Sequence, residues 1–200
     1  MKILDISREL FSTPPYPGNP APRRDPIRRM DMGDPSNVSG YYACCHNATH
    51  MDAPLHFIED GDSIDRVPLD RCVGPCTVVE ASGIVTGSDV DRIAPKSRKR
   101  ILFRGEGKAF LSRSAAFALA DAGFLLVGTD AQSIGAPGHS ADPHRELLGA
   151  GVLLLEGLDL SKAAPGDYCL IAFPILLGGA EAAPVRAVLL ENEGAGLDRF

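Results

Sequence analysis

The sequence predicts an α/β fold, a single domain built on a mixed sheet. Short β-branched or leucine-rich runs bounded by Gly, Pro or Asp recur along the chain. Between Arg100 and Glu156 the order strand, helix, strand occurs twice, and helical crossovers of this kind link parallel strands. The 200 residues, 44% of them hydrophobic, suffice for one well-buried domain and are too few for two comfortable ones. We therefore expect one domain over residues 1–200.

Seven segments are predicted to form strands. The first alternates apolar and polar residues, and the others are short apolar runs that stop at turn residues. They are Lys2–Ile6, Cys76–Ala81, Arg100–Arg104, Phe124–Thr129, Val152–Glu156, Tyr168–Phe173 and Arg186–Leu190. Between the first two, residues 12–26 carry six prolines and are predicted to form a loop, in which the Tyr16-Pro17-Gly18 turn could cover a pocket.

Three segments between these strands are predicted to be helical. Ser88–Ile93 opens with Ser88 and Asp91 at capping-box spacing. Ser112–Ala122 is followed by Gly123, which favours a helix end. Pro143–Leu148 begins with a proline, as the first position of a helix allows.

The composition narrows the choice of partners. A formal net charge of −6 and a pI near 5.3 disfavour nucleic acid and anionic membranes and favour a small-molecule substrate. No apolar run approaches the roughly 18 residues of a membrane span, and no secretion signal opens the chain. The odd number of cysteines lacks the spacing of a disulfide framework and agrees with a reducing compartment. We expect a cytoplasmic protein with no membrane partner.

Metal ligands are concentrated in residues 46–56, which hold three of the five histidines and a carboxylate. On a straight strand His46 and His50 would stand about 13 Å apart, too far for one ion with ligand bonds near 2 Å. A turn followed by extended chain would let His46, His50 and Asp52 converge, because His50 and Asp52 then project from one face. His56, beyond the proline, would remain as a proton carrier. Solvated or capping histidines are the alternative.

Glu156 is the second informative residue, because it ends a predicted buried strand. An ionised carboxylate in that position is costly unless it binds a cation or pairs with an arginine. Arg186 is a candidate for such a salt bridge. A site with two ions would need further ligands, and only His139, in a flexible-looking loop, and His144, near a predicted helix start, remain.

The chain resembles a known family in several segments. Residues 46–56 match, at all but one position, the HxGTHxDxPxH signature of the cyclase-like metal-dependent hydrolases, whose best-known members are the bacterial kynurenine formamidases, or arylformamidases. Residues 128–133 (GTDAQS), 155–158 (LEGL), 165–168 (PGDY) and 179–188 (GAEAAPVRAV) follow in the same order as in that family. The resemblance implies a swivelling β/β/α-type fold and a homodimer or homotetramer.

The resemblance also implies roles for single residues. His46 and His50 would bind the first ion, Asp52 would bridge to a second, and His144 and Glu156 would complete the site. His56 would donate and accept protons while water activated on the metal hydrolyses N-formylkynurenine to kynurenine and formate, a step of tryptophan catabolism. Two Zn²⁺ ions per subunit are implied, and Mn²⁺ also suits the mixed imidazole and carboxylate set.

Three positions depart from the family pattern. Ala48 replaces the signature glycine, and Gly135 stands where formamidases often have Asp. Tyr16 stands where they typically place a tryptophan against the substrate's ring, and the chain contains no Trp. Tyrosine can still stack, so Tyr16 is the expected substrate-binding residue. The alternatives are an isatin-hydrolase-like enzyme that opens a cyclic amide or lactone, and a non-catalytic zinc protein.

Overall fold

The computed structural model describes residues 2–191, which form strands, three α-helices and short 3-10 turns. The strands are β1 (Lys2–Asp5), β2 (Arg23–Arg28), β3 (Val38–Tyr42), β4 (His50–Asp52), β5 (Val73–Glu80), β6 (Gly83–Val85), β7 (Arg100–Arg104), β8 (Ala109–Leu111), β9 (Leu126–Thr129), β10 (Leu153–Glu156), β11 (Gly166–Ile171), β12 (Ala182–Pro184) and β13 (Val188–Glu191). The helices are α1 (Gly87–Ile93), α2 (Arg113–Asp121) and α3 (Ala141–Gly149).

One mixed sheet of nine strands organises the fold, in the order β1-β13-β11-β5-β7-β9-β10-β4-β12. The four central strands β5, β7, β9 and β10 run parallel to their neighbours in this group, and the flanking pairs are antiparallel. The crossovers β7-α2-β9 and β9-α3-β10 are the two predicted strand–helix–strand units. The prediction of an α/β domain with a mixed sheet is confirmed.

Two hydrophobic clusters cover the two faces of this sheet. Successive side chains of a strand point to opposite faces, so Leu153 and Leu155 of β10 belong to one cluster and Leu154 to the other. The helices add Leu119 and Leu147 to the second cluster. Because both faces are buried, the middle of each central strand is mostly apolar, which is why these strands are recognisable in the sequence.

The pairing of β10 with β4 positions polar residues inside this apolar framework. The two strands are antiparallel, with Glu156 opposite His50 and Leu154 opposite Asp52. Opposed residues on one face of such a pair have Cβ atoms about 4.5–5.5 Å apart. Met51, between the two polar residues of β4, points to the other face and is fully buried in the first cluster.

Several local predictions need correction. The loop predicted for residues 12–26 ends earlier, because Arg23–Arg28 forms β2 and pairs with β3 in a separate two-stranded sheet; Pro26 is accommodated there because the pairing shifts register beside it. The capping box of α1 uses Thr86 and Asp89, whose carboxylate accepts the Thr86 N–H at 2.8 Å, and not Ser88 and Asp91.

Helix α3 also begins earlier than predicted. It starts at Ala141, so Pro143 is its third residue and not its first. A proline is tolerated there because the first four N–H groups of a helix have no partner within the helix. No helix in residues 2–191 combines the length and the apolar character needed to cross a membrane.

Candidate metal centre

A tight turn at residues 44–47 leads the histidine-rich segment into strand β4 of the sheet. Asn47 closes the turn, since its N–H donates to the Cys44 carbonyl at 3.0 Å and its side-chain oxygen accepts the Cys44 N–H at 2.7 Å. Ala48 follows with φ +55°, a left-handed conformation that glycine adopts more readily. The chain then becomes extended as β4, so the structure has the predicted turn and strand.

Five predicted ligand residues converge on one point. His46 Nδ1 lies 3.0 Å from Asp52 Oδ1, and His50 Nε2 lies 3.5 Å from both Asp52 Oδ1 and Glu156 Oε2. His144 Nε2 lies 3.2 Å from Glu156 Oε1 and 3.7 Å from Asp52 Oδ2. Residues from two distant stretches of the chain therefore surround a single buried pair of carboxylates.

Backbone carbonyls orient two of the imidazoles. His50 Nδ1 lies 3.0 Å from the Ala48 carbonyl oxygen, and His144 Nδ1 lies 2.6 Å from the Ser140 carbonyl oxygen. With the proton on Nδ1, each ring donates to its carbonyl and presents the Nε2 lone pair to the carboxylates. Histidines that bind metals are commonly held in this way by a second hydrogen bond.

The charges of the cluster shift the pKa values of its members. Burial would lower the pKa of His50, but the Glu156 carboxylate, 3.5 Å from its Nε2, and the charge of Asp52 outweigh this effect and raise the pKa to about 9. The pKa of His144 is raised for the same reasons, again against the effect of burial. For Glu156, burial would raise the pKa, but the imidazoles of His144 and His50, 3.2 and 3.5 Å from its carboxylate oxygens, hold it well below the usual range.

Glu156 forms no ion pair with an arginine of residues 2–191. Its Oε1 accepts the Ile134 N–H at 2.6 Å, and its other neighbours are the two imidazoles. Arg186 pairs with Asp5 on the surface instead. The alternative of a structural salt bridge between Glu156 and Arg186 is therefore wrong.

The donor set fits a divalent cation. His50 Nε2 and both Asp52 carboxylate oxygens are buried and make no hydrogen bond within the described residues, although unpartnered buried polar atoms are costly. Two trios of donor atoms each lie within 4.8 Å of one another: His46, Asp52 and His56, and His50, Asp52 and Glu156. Asp52 belongs to both, as a bridging carboxylate requires, but His56 and not His50 accompanies His46.

His56 lies at the edge of the cluster. It ends a 3-10 turn, Pro54–His56, and its ring centroid is 4.2 Å from that of His46 and 5.7 Å from that of His144. The ring is half-buried, and burial lowers its pKa more than the charge of Asp52 raises it. A neutral imidazole near pH 7 can accept a proton and return it.

A cavity of about 240 Å³ opens onto these residues. Tyr16, the predicted substrate-binding residue, lines it together with His56, Phe57 and Gln132. The Tyr16 loop is held by a type II-like turn, in which Asn19 N–H donates to Tyr16 O at 2.9 Å and Gly18 has φ +95°. Gln132 Nε2 donates to the Pro14 carbonyl at 2.8 Å and ties this loop to the cavity wall. The loop thus borders the cavity.

The sequence reasoning missed two neighbours of the histidines. Glu181 Oε1 lies 3.1 Å from His46 Nε2, and the Phe57 ring centroid lies 4.7 Å from that of His144. Glu181 falls within the C-terminal segment that resembles the family, which was the available signal. His139, weighed as a ligand by its residue type, is exposed outside the cluster. At Gly135 an added Cβ would lie 2.4 Å from Ser140 Cα, so this position does not admit the Asp that formamidases often have.

Known proteins are similar to this chain in sequence and in structure. Residues 4–136 match the model of the Cyclase family, described as "Putative cyclase". A kynurenine formamidase of Delftia acidovorans is 38% identical over 202 aligned residues, covering 94% of this chain and 97% of the relative. A solved structure described as a potential metal-dependent hydrolase with cyclase activity is 29% identical, with a TM-score of 0.83 and coverage of 96% of this chain and 98% of that one.

A more distant structure shares the fold. An isatin hydrolase bound to the product analogue thioisatinate has a TM-score of 0.83 at 17% identity, covering 96% of this chain and 93% of its own. The family match spans more than half of the chain, and the formamidase similarity spans nearly all of it. The chain therefore belongs to the cyclase family of metal-dependent hydrolases.

Proposed function

We propose that this protein is a metal-dependent amidohydrolase that converts N-formylkynurenine and water to kynurenine and formate. The observation that carries the proposal is the convergence of three imidazoles on two buried carboxylates, with unpartnered donor atoms at the floor of a cavity. The similarity to a kynurenine formamidase over nearly the whole chain supports the choice of substrate.

His46, His50, Asp52, His144 and Glu156 would hold the metal. When bound there, a divalent ion would supply Lewis-acid chemistry: it would lower the pKa of water towards about 7 and polarise an amide carbonyl. Zn²⁺ suits this mixed set of nitrogen and oxygen donors, and so does Mn²⁺. The sharing of Asp52 between two donor trios supports two ions per subunit.

His56 would move the proton that the reaction transfers. Its lowered pKa leaves it neutral near pH 7, so it can accept a proton as the nucleophile forms. It then returns that proton to the amide nitrogen, because an aryl amide anion is a poor leaving group. The half-buried ring lies beside His46 and lines the cavity, so it would be within reach of both the nucleophilic water and the amide nitrogen of a bound substrate.

The side chains around the cavity would orient the substrate. Phe57 and Tyr16 provide aromatic surfaces that can pack against an aniline ring. Ser133, Gln132 and Asn19 provide polar groups at the same wall. The carbonyl to be attacked would face the imidazoles and carboxylates at the floor.

A single assay separates this proposal from its alternatives. The metal-loaded protein is given N-formylkynurenine or isatin, and formate release and ring opening are measured. We expect formate release. Ring opening of isatin without formate release would instead assign the isatin-hydrolase-like activity, and no turnover with any formyl anilide, cyclic imide or lactone would favour a non-catalytic metal protein.

We also propose that the protein assembles as a homodimer or homotetramer. The β2–β3 hairpin supports this, because every residue of β2 is exposed and Ile27, Met32 and Tyr41 are 66%, 74% and 58% exposed. An isolated two-stranded hairpin is marginal in water, and a second copy would cover its apolar side chains. The apolar run at residues 173–177 is also largely exposed.

The oligomer has a direct test. Light scattering with size exclusion should give at least twice the mass of one chain, and the double change Ile27→Asp and Met32→Asp should give a monomer. A wild-type monomer would contradict the proposal.

We also propose that the protein is located in the cytoplasm. The five free cysteines agree with a reducing compartment.

A further inference from the structure

A second cavity of about 370 Å³ adjoins the candidate metal centre. It shares Tyr16, His46 and Gln132 with the first cavity, so the two are contiguous. The first cavity, at about 240 Å³, is smaller than the roughly 300–1,000 Å³ usual for small-molecule sites. A substrate larger than an aryl amide head would therefore extend into the second cavity.

Backbone strain is concentrated at this second cavity. Within residues 2–191 the non-glycine residues with positive φ are Ala48, at +55°, and Glu106, at +53°. Both line the second cavity. Conformations of this kind are energetically costly for a residue with a Cβ and are found preferentially at ligand sites.

The guanidinium group of Arg8, held in place by hydrogen bonds, forms one part of the wall of the second cavity. Arg8 Nε donates to the Leu158 carbonyl at 3.0 Å, and its Nη2 donates to the Asp130 carbonyl at 3.1 Å. These bonds fix the guanidinium plane, while Nη1 makes no hydrogen bond with any described residue. A fixed guanidinium with donors to spare is suited to binding a carboxylate.

Glu106, whose backbone is held in place by hydrogen bonds, forms another part of the wall of the second cavity. Glu106 lies on the turn of residues 105–107, whose three N–H groups donate to the buried Asp130 carboxylate at 2.9–3.1 Å. The Glu106 side chain is exposed and forms no ion pair in the described part of the chain. Asp130 thus holds the Glu106 backbone in place and leaves its carboxylate available to a cationic ligand.

We propose that the second cavity is a subsite for the zwitterionic amino-acid tail of an N-formylated aryl substrate, with Arg8 binding the α-carboxylate and Glu106 binding the α-ammonium group. Tyr16, which lines both cavities, would pack against the aromatic ring between the two ends. This inference rests on the proposed function, because it assigns the rest of the substrate whose formyl group lies at the metal centre.

The test compares two substrates on the metal-loaded protein: N-formylkynurenine, and 2-formamidoacetophenone, which lacks the amino-acid tail. Arg8→Gln should raise KM for N-formylkynurenine by about 10- to 100-fold, the usual value of a charged hydrogen bond. For the truncated substrate kcat/KM should stay within about twofold. Arg113→Gln, an exposed arginine that lines neither cavity, is the matched control and should change neither substrate.

Glu106→Gln tests the second contact independently. It should raise KM for N-formylkynurenine and leave the deaminated analogue, which keeps the carboxylate, unchanged. Equal losses on tailed and truncated substrates would assign Arg8 a structural role through Leu158 and Asp130 and overturn the subsite. Unchanged KM in both variants would overturn it as well.

Failure of the subsite is distinguishable from failure of the proposed function. If wild-type protein hydrolyses the truncated substrate and neither variant affects the tailed one, the formamidase proposal stands and the subsite falls. If wild-type protein hydrolyses neither substrate, calorimetric binding of kynurenine decides the subsite: weaker binding by Arg8→Gln supports it, and equal binding or no binding to wild type overturns it.

Discussion

The backbone contact between Gly157 and Ala48 supports the turn that carries His46 and His50. A Cβ built on Gly157 would lie 2.2 Å from the Ala48 carbonyl oxygen and 2.9 Å from its carbon. Gly157 also has φ +66°, and its carbonyl accepts a 2.6 Å hydrogen bond from Thr49 Oγ1. A side chain at position 157 would therefore clash with backbone atoms. Backbone atoms cannot relieve such a clash by changing rotamer, as a neighbouring side chain could.

We expect Gly157→Ala to be strongly destabilising. The left-handed conformation costs a non-glycine residue about 1–2 kcal/mol, and overpacking against rigid atoms costs about 1–3 kcal/mol. The free energy of unfolding should fall by about 2–5 kcal/mol. Displacement of the turn should also weaken metal binding, because His46 and His50 flank it.

Ala48→Gly is the matched opposite change. Ala48 already adopts φ +55°, so glycine relieves about 1–2 kcal/mol of strain and loses about 0.5–1 kcal/mol to the greater freedom of the unfolded chain. A net gain of about 0–1.5 kcal/mol in the free energy of unfolding should follow, with metal affinity kept.

Denaturant unfolding of the metal-free proteins and metal titration with a competing chelator measure both quantities. The reasoning fails if Gly157→Ala is within about 0.5 kcal/mol of wild type, the range of neutral surface changes, and binds metal equally well. A large loss in Ala48→Gly would refute the strain argument.

Two further predictions concern the site. His56→Ala should keep the wild-type metal content by elemental analysis and lose about 10²- to 10⁴-fold in kcat; loss of metal would make His56 a ligand, as its place in a donor trio allows. In the metal-free protein the pKa of His50 is raised to about 9, above its unfolded value, so its stabilising contribution is present below about pH 6.5 and is lost as pH rises through 9. Metal binds the neutral imidazole, so metal binding at pH 7 should release about one proton from His50, and metal affinity should fall about tenfold per pH unit below 9. Calorimetry in buffers of different ionisation enthalpy measures the number of protons released. Metal binding without proton release would contradict the account.

The central sheet could be predicted from the sequence because its strands are buried on both faces. Runs such as 101–103 and 152–155 are apolar throughout, and the helix end at Gly123 follows from its φ of +70°. The β2–β3 hairpin could not be predicted, because all residues of β2 are exposed and three of the six are arginines. Strands of three residues, such as β4 and β12, carry too few positions for a periodicity.

The residues of the candidate site could be predicted from the sequence, but which of them face one another across the strands could not. The His46 to His56 segment is recognisable because its ligand types are close in sequence, and Glu156 because a carboxylate ends an apolar run. That His50 faces Glu156 depends on the antiparallel register of β4 and β10, which no local pattern encodes. Glu181 and Glu106 reach their positions through loops, and sequence spacing carries no information on where such side chains point.

The most direct test of the account is the position of metal in crystals of the metal-loaded protein, located by anomalous scattering. We predict density between the Asp52 and Glu156 carboxylates, with ligand bonds of about 2.0–2.2 Å to imidazoles of His46, His50 or His144. The same measurement on Asp52→Ala should show no metal there. Metal bound elsewhere in the wild-type protein, or full occupancy in the Asp52 variant, would contradict the claim that these side chains form the catalytic metal site.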